Sequence, residues 1–177
     1  IDGELRKVLM QAPKNGFFYV IDRTDGKLLS AEKYVRATWA SGIDLKTGRP
    51  IKTELGDYDS AKKLIFPGAL GGHNWMPMSY SPETGLVYIP AQELYMPMKQ
   101  DKDYEYDDKG WNTAGDLTVM APPKNLLQLT LLAKSIRGRL SAWDPVNQKE
   151  VWKQYLTLPW NGGTVSTKGN LVFQGTS

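Results

Sequence analysis

Short apolar runs separated by polar turns of nearly uniform chemistry fill most of the chain, and they predict β-hairpins. Residues 7–11 read as a short strand, followed by the turn Ala12-Pro13-Lys14-Asn15-Gly16. Its Asn-Gly step supplies the positive φ that a tight reversal needs. Phe17-Phe18-Tyr19-Val20-Ile21 is aromatic and β-branched without a break, the strongest strand signal in the sequence. Asp22-Arg23-Thr24-Asp25-Gly26 then turns the chain into Lys27-Leu28-Leu29. The same device recurs downstream. Residues 39–43 lead into Asp44-Leu45-Lys46-Thr47-Gly48, and residues 77–80 lead through Ser81-Pro82-Glu83-Thr84-Gly85 to residues 86–91. Residues 140–143 lead through Asp144-Pro145-Val146-Asn147-Gln148 to residues 149–152, and residues 163–166 lead through Thr167-Lys168-Gly169-Asn170 to residues 171–174.

Repeated hairpins with periodic aromatics favour radial repetition of small sheets, a β-propeller, over a plain β-sandwich. Ala142 and Trp152 flank the turn that begins at Asp144, a spacing that predicts a small residue receiving an indole from a neighbouring sheet. Two stretches depart from the pattern and together mark a variable insertion around residues 95–135. Residues 99–112 carry Asp101, Asp103, Glu105, Asp107 and Asp108 among lysines and tyrosines, without the spacing of a calcium loop, so a solvated insertion is expected. Residues 126–134 predict a short helix. The fold class expected is therefore all-β, as a single domain over residues 1–177.

Composition narrows the functional classes. Charged residues make up 23% of the chain and the net charge is +3, with the basic residues scattered, so the stripe or patch of a nucleic-acid-binding surface is missing. The absence of cysteine excludes disulfides, thiolate catalysis, cysteine-ligated zinc and covalent heme attachment within the chain. Both ends read as cut, with no initiating Met and a final Gly175-Thr176-Ser177 directly after an apolar run, so a fragment is expected. An open ring of blades would also leave unpaired strand edges prone to aggregation.

The candidate chemistry gathers in three glycine-marked loops. In Gly71-Gly72-His73-Asn74-Trp75 the glycines strip side chains from the backbone, so that something bulky can approach it. Beside them stand an imidazole, a carboxamide and an indole suited to a flat polar ligand. Trp160-Asn161-Gly162-Gly163 is a second such rim, and Lys14 sits in a hairpin loop, where functional side chains collect. His73 is the single histidine, which excludes polyhistidine metal sites and favours a structural or solvated role over catalysis.

These same segments resemble the pyrroloquinoline-quinone-dependent alcohol dehydrogenases. The resemblance rests on Gln11 through Arg23, Gly71-Gly72-His73-Asn74-Trp75 with Pro77-Met78-Ser79, and Thr84 through Ala91. It continues in the tryptophan-docking hairpin from Ala142 to Trp152, in Trp160-Asn161-Gly162-Gly163, and in Gly169 through Thr176. It covers nearly the whole chain, is weakest over residues 95–135, and departs from many relatives at Met76. It is nearest to the quinoprotein and quinohemoprotein ethanol dehydrogenases, because methanol dehydrogenases usually carry arginine where Lys14 stands.

The resemblance implies an eight-bladed propeller with the quinone on its axis, of which this chain supplies about half the blades. It implies cofactor contacts from Lys14, Asn74, Trp75 and Asn161 or Gly162, with Lys14 favouring the reduced quinone. A cation in a dry pocket stabilises negative charge as it develops, which agrees. The general-base Asp, the Ca²⁺ ligands, the vicinal cysteines of the family and any heme c motif would lie outside the chain, leaving it inactive alone. The implied reaction is oxidation of primary alcohols to aldehydes by hydride transfer to the quinone. The implied location is the periplasm, and the implied partners are a small alcohol, a cytochrome c or membrane-quinone acceptor, and the remaining blades. Two readings compete with it: a non-enzymatic propeller scaffold of the outer-membrane assembly type, and a related quinoprotein acting on sugars or polymeric alcohols.

Overall fold

The computed structural model describes residues 1, 3–59 and 61–176. Its elements are overwhelmingly antiparallel β. Strands β1 (Val8–Gln11), β2 (Phe17–Asp22) and β3 (Leu28–Lys33) form a three-stranded sheet in chain order. Strands β4 (Ala40–Ile43) and β5 (Pro50–Lys52) form a hairpin. Strand β6 (Lys63–Ile65) pairs with β9 (Met96–Met98) across the intervening β7 (Ser79–Ser81) and β8 (Leu86–Glu93). After helix α1 (Leu126–Ser135), β10 (Arg137–Asp144) and β11 (Lys149–Leu156) join a four-stranded sheet ordered β11-β10-β8-β7. Strands β12 (Thr164–Ser166) and β13 (Val172–Gln174) close the series as a hairpin, and β12 leans on the β7 segment through Thr164 N–H to Pro77 O.

The hairpins form for a shared local reason. Asp22, Asp44 and Asp144 each accept, through Oδ1, the amide two residues on, at 2.8, 2.9 and 2.9 Å. Such a side chain mimics a backbone turn and starts the reversal. Each turn then ends on a residue of positive φ: Gly26 (78°), Gly48 (69°), and Gln148 (52°) in the third. All three carboxyls are pulled down, Asp144 against the upward push of its burial, which its Asn147 and Val146 hydrogen bonds outweigh. Asp22 is lowered first by the Thr24 hydroxyl, and Asp44 first by the Lys46 amide.

The unbroken apolar run of β2 has its explanation in packing. Phe17 and Phe18 point to opposite faces and both are buried, as a strand covered on both sides requires. Phe18 and Val20 meet Val87, Ile89 and Ala91 of β8 and Trp143 of β10, so this cluster joins the two larger sheets. Phe17 packs with Ala31, Ala37, Ala40 and Ile43, with Trp39 edge-on at 6.0 Å.

Ala142 pairs with Trp152 across the β10–β11 hairpin, and Trp143 reaches from β10 to Phe18 of β2, with ring centroids 5.7 Å apart. Trp152 lies against Tyr88 and stays 43% exposed. A register shift falls between Ala142 and Trp143, and such bulges re-aim side chains.

The variable region carries the α1 helix at the expected place, capped by Asn125, which accepts from Leu127 and Gln128 amides. None of its residues is buried. The acids of residues 99–112 serve local turns: Asp101 and Asp107 each accept the amide two residues on. Among the described residues, no group of three His, Asp or Glu side chains is placed to hold a metal ion, and no helix is long and apolar enough to cross a membrane.

Candidate functional site

The Lys14 loop and the rim at Gly71 are packed into each other. The Gly72 amide donates to Lys14 O at 3.0 Å. A Cβ on Gly71 would stand 2.6 Å from Lys14 Cα, and one on Gly72 would stand 2.4 Å from Val35 Cγ2 and 2.9 Å from the Tyr34 hydroxyl. The sequence assigns these glycines to close approach by a ligand. The structure corrects this: what approaches is the chain's own Lys14 loop and the Tyr34-Val35 step.

His73 is 4% exposed and ties the same two segments together. Its Nδ1 lies 2.7 Å from Ala12 O, and its Nε2 lies 2.6 Å from Met76 O. A carbonyl only accepts, so each contact needs a proton on the nitrogen that faces it. The structural role favoured for His73 therefore has a geometry. Met76, at 2% exposure, is core.

Asn74 spends its amide within its own loop. Its Nδ2 donates to Leu70 O at 2.9 Å, and its Oδ1 accepts the Trp75 amide at 2.9 Å. Half the capacity of the carboxamide stays open, one N–H and one lone pair. Leu70 O takes a second donor, Gln92 Nε2, at 3.1 Å, while the Gln92 amide donates to Gly72 O. Gln92 is fully buried, and sequence reasoning missed it. A lone amide near the end of an apolar strand was the only signal.

Trp75 is 75% exposed and meets Trp160 edge-on, with centroids 6.2 Å apart. The second rim thus lies beside the first, and a Cβ on Gly163 would fall 2.4 Å from Pro77 Cδ. Asn161 is 6% exposed. Its Nδ2 donates to Leu158 O at 2.7 Å, whereas its Oδ1 is buried with no hydrogen-bond partner. Gly162 is held by backbone, its amide donating to Gly175 O at 2.8 Å, and its carbonyl accepts Gln174 Nε2.

The three glycine-marked loops are therefore contiguous: the Lys14 loop on the Gly71 rim, and that rim on the Trp160 rim. Lys14 borders an open cavity of about 370 Å³ with Asn15, Trp39, Tyr58, Pro67 and Met98. No ion pair to Lys14 forms among the described residues. The unpaired Lys14 ammonium is a donor with capacity for an outside polar group, and Asn161 Oδ1 is an acceptor buried without a partner.

No family model matches the chain. It is similar over its whole length to individual proteins. It is 49% identical to the quinohemoprotein alcohol dehydrogenase ADH IIB of Pseudomonas putida, an alignment of 177 residues that takes in 24% of that protein. It is 46% identical to the 1-butanol dehydrogenase (cytochrome c) of Thauera butanivorans, again over all of this chain and 25% of that one. Among solved structures, the quinohemoprotein alcohol dehydrogenase ADHIIG of Pseudomonas putida superposes with a TM-score of 0.89 at 44% identity, over 99% of this chain and 26% of that one. The chain spans about a quarter of the length of the curated relatives it matches. Sequence and backbone agree from end to end, so the whole chain is similar to a segment that makes up about a quarter of the quinohemoprotein alcohol dehydrogenases it matches.

Proposed function

We propose that this chain builds part of the pyrroloquinoline-quinone site of a periplasmic alcohol dehydrogenase that oxidises primary alcohols to aldehydes. The sheets, in this reading, are blades of an eight-bladed propeller, with about half of the ring in this chain and the site at its centre. The observation that carries the proposal is the contiguity of the three loops, which sets an unpaired ammonium, an exposed indole and an orphaned buried amide oxygen on neighbouring segments. Each suits a different part of a flat, oxygen-rich ring system. Lys14 supplies positive charge for the quinone oxygens, Trp75 an aromatic surface, and Asn161 Oδ1 an acceptor. Asn74 keeps one N–H for the polar edge, and Gly162 offers close backbone approach.

When bound, the quinone supplies the hydride acceptor. The part of Lys14 is electrostatic. An ammonium aimed at an oxygen that gains negative charge lowers the barrier without any proton leaving it. The described residues hold no metal-ligand set, so no step is assigned to Ca²⁺ in this segment. The names of the relatives support an alcohol as substrate and a heme or cytochrome c as electron acceptor for the complete enzyme.

The test is Lys14→Ala in the complete enzyme, loaded with quinone. Turnover should fall by about a hundredfold, the usual scale for removing one preorganised electrostatic partner, and quinone affinity should fall with it. Unchanged turnover at full loading would sink the role given to Lys14.

A further inference from the structure

The loop that carries Lys14 is fixed to a degree that its place in a hairpin does not require. Strand pairing between β1 and β2 stops at Gln11 and Tyr19, so the carbonyls beyond Gln11 have no ladder partners. In an ordinary hairpin they would turn to water. Here five consecutive carbonyls face a protein donor. His73 Nδ1 lies on Ala12 O at 2.7 Å, and the Tyr34 hydroxyl donates to Pro13 O at 2.7 Å. The Gly72 amide donates to Lys14 O at 3.0 Å, and Trp39 Nε1 donates to Asn15 O at 2.9 Å. The Tyr34 amide donates to Gly16 O at 3.0 Å. These donors come from two places, the 34–39 segment and the Gly71 rim, which grip the loop between them.

The side chains involved are built to stay put. Tyr34 is 1% exposed, and burial pushes its hydroxyl well above the ordinary phenol range, with the Arg139 charge offsetting part of this. Burial thus favours the neutral O–H form that donates to Pro13 O. The Tyr34 carbonyl is held by Arg139, a residue itself paired with Glu93 and Glu150. Trp39 is locked against Phe17 by its edge-on contact.

We infer that Tyr34 and Trp39, with His73, are positioning residues for Lys14: they fix the backbone beneath the ammonium, leaving only side-chain freedom to be lost when it meets an anionic or electron-rich ligand. This rests on the quinone role proposed above for Lys14. A flexible lysine loop would lose backbone entropy on each binding event, and prior fixation removes that cost.

Tyr34→Phe and Trp39→Phe each delete one hydrogen bond and keep an aromatic ring, so they are the variants to make, in the complete enzyme. Two quantities are read: the dissociation constant for pyrroloquinoline quinone, and hydrogen–deuterium exchange of the 12–17 peptide in the quinone-free protein, with the 86–93 peptide of β8 as reference. Each variant should weaken quinone binding by about five- to tenfold, the scale of one hydrogen bond lost from a part-buried carbonyl, although Pro13 O keeps the Gly16 amide at 3.4 Å. Exchange of the 12–17 peptide should quicken while that of the 86–93 peptide stays unchanged. Combined with Lys14→Ala, Tyr34→Phe should cause no further loss of affinity, because its effect passes through the lysine.

Wild-type exchange of the 12–17 peptide in both variants would overturn the inference. So would losses that multiply in full with that of Lys14→Ala, the signature of a merely structural role. Should Tyr34→Phe fail to fold, Trp39→Phe decides alone. If Lys14→Ala binds quinone normally, the function proposed for it falls. Faster exchange in the Phe variants would even then uphold the fixation of the loop.

Discussion

The interlock of the two loops can be weighed with three glycines. Gly71 has a φ of +83°, and a Cβ there would lie 2.6 Å from Lys14 Cα, 2.6 Å from Lys14 Cβ and 2.7 Å from Lys14 Cγ. Gly26 has almost the same backbone, φ +78°, with nothing within 4 Å of a Cβ. Gly72 has the opposite balance: no positive φ, but a Cβ 2.4 Å from Val35 Cγ2. Alanine at Gly26 thus reports left-handed strain alone, about 1–2 kcal/mol. Offset by the stiffer unfolded chain, worth roughly 0.4–1 kcal/mol, the net loss should be about 1 kcal/mol. Alanine at Gly72 reports crowding alone, about 1–3 kcal/mol. Gly71→Ala carries both and should cost about 2–4 kcal/mol. At roughly 2–4 °C per kcal/mol for a chain of this size, the melting temperature would drop by about 5–15 °C. Chemical denaturation followed by tryptophan fluorescence measures all three. If Gly71→Ala costs no more than Gly26→Ala, the Lys14 loop is free to move aside, and the packed joint between loop and rim does not exist in solution.

Two further perturbations probe the frame around the site. Arg139 is nearly buried and spans Glu93 on β8, Glu150 on β11 and Tyr34 O, so Arg139→Met strands two acids and should cost about 3–5 kcal/mol by denaturant titration; a loss under about 1 kcal/mol would show the acids find water instead. Asp116 has its pKa lowered from 3.8 to about 2, first by the Thr118 hydroxyl and then by Lys99. Because the folded value lies below the unfolded one, its stabilisation is complete above about pH 3.8 and is lost as pH falls through about 2, with no change toward alkaline pH. A side-chain carboxyl carbon titration placing the Asp116 midpoint near 3.8 would refute the Lys99–Thr118 clasp.

The hairpins were legible because their signals are local. An aspartate that caps its own turn and a terminal glycine are read within five residues, and the strand run from Phe17 needs no partner to be recognised. Strands β6 and β9 were not legible, for the matching reason. Lys63-Leu64-Ile65 and Met96-Pro97-Met98 are three residues each, one contains proline, and they meet only because the chain folds back across the β7–β8 hairpin between them. Proline opposite Leu64 is a residue that local pattern assigns against a strand. The bulge between Ala142 and Trp143 is of the same kind, invisible until the register is known.

The candidate site divides along the same line. That Lys14, the Gly71 rim and the Trp160 rim carry ligand-type chemistry is a matter of residue type, and the sequence displays it. That they are neighbours is tertiary, and so is the purpose of the glycines. A glycine pair before a polar aromatic cluster invites the idea of a ligand pressed onto bare backbone. The absent side chains of Gly71 and Gly72 instead leave room for Lys14, Tyr34 and Val35. That space is filled from within, so in the proposed role the rim would meet its ligand with the side chains of Asn74 and the exposed Trp75. The same displacement explains why His73, adjacent to both, turns inward: with Ala12 O and Met76 O on either side of it, the imidazole closes the joint that the glycines open. Glycine, histidine and lysine in this segment are therefore one mechanical unit. The chemistry proposed for the lysine would then depend on a contact between Ala12 and His73, 61 residues apart along the chain.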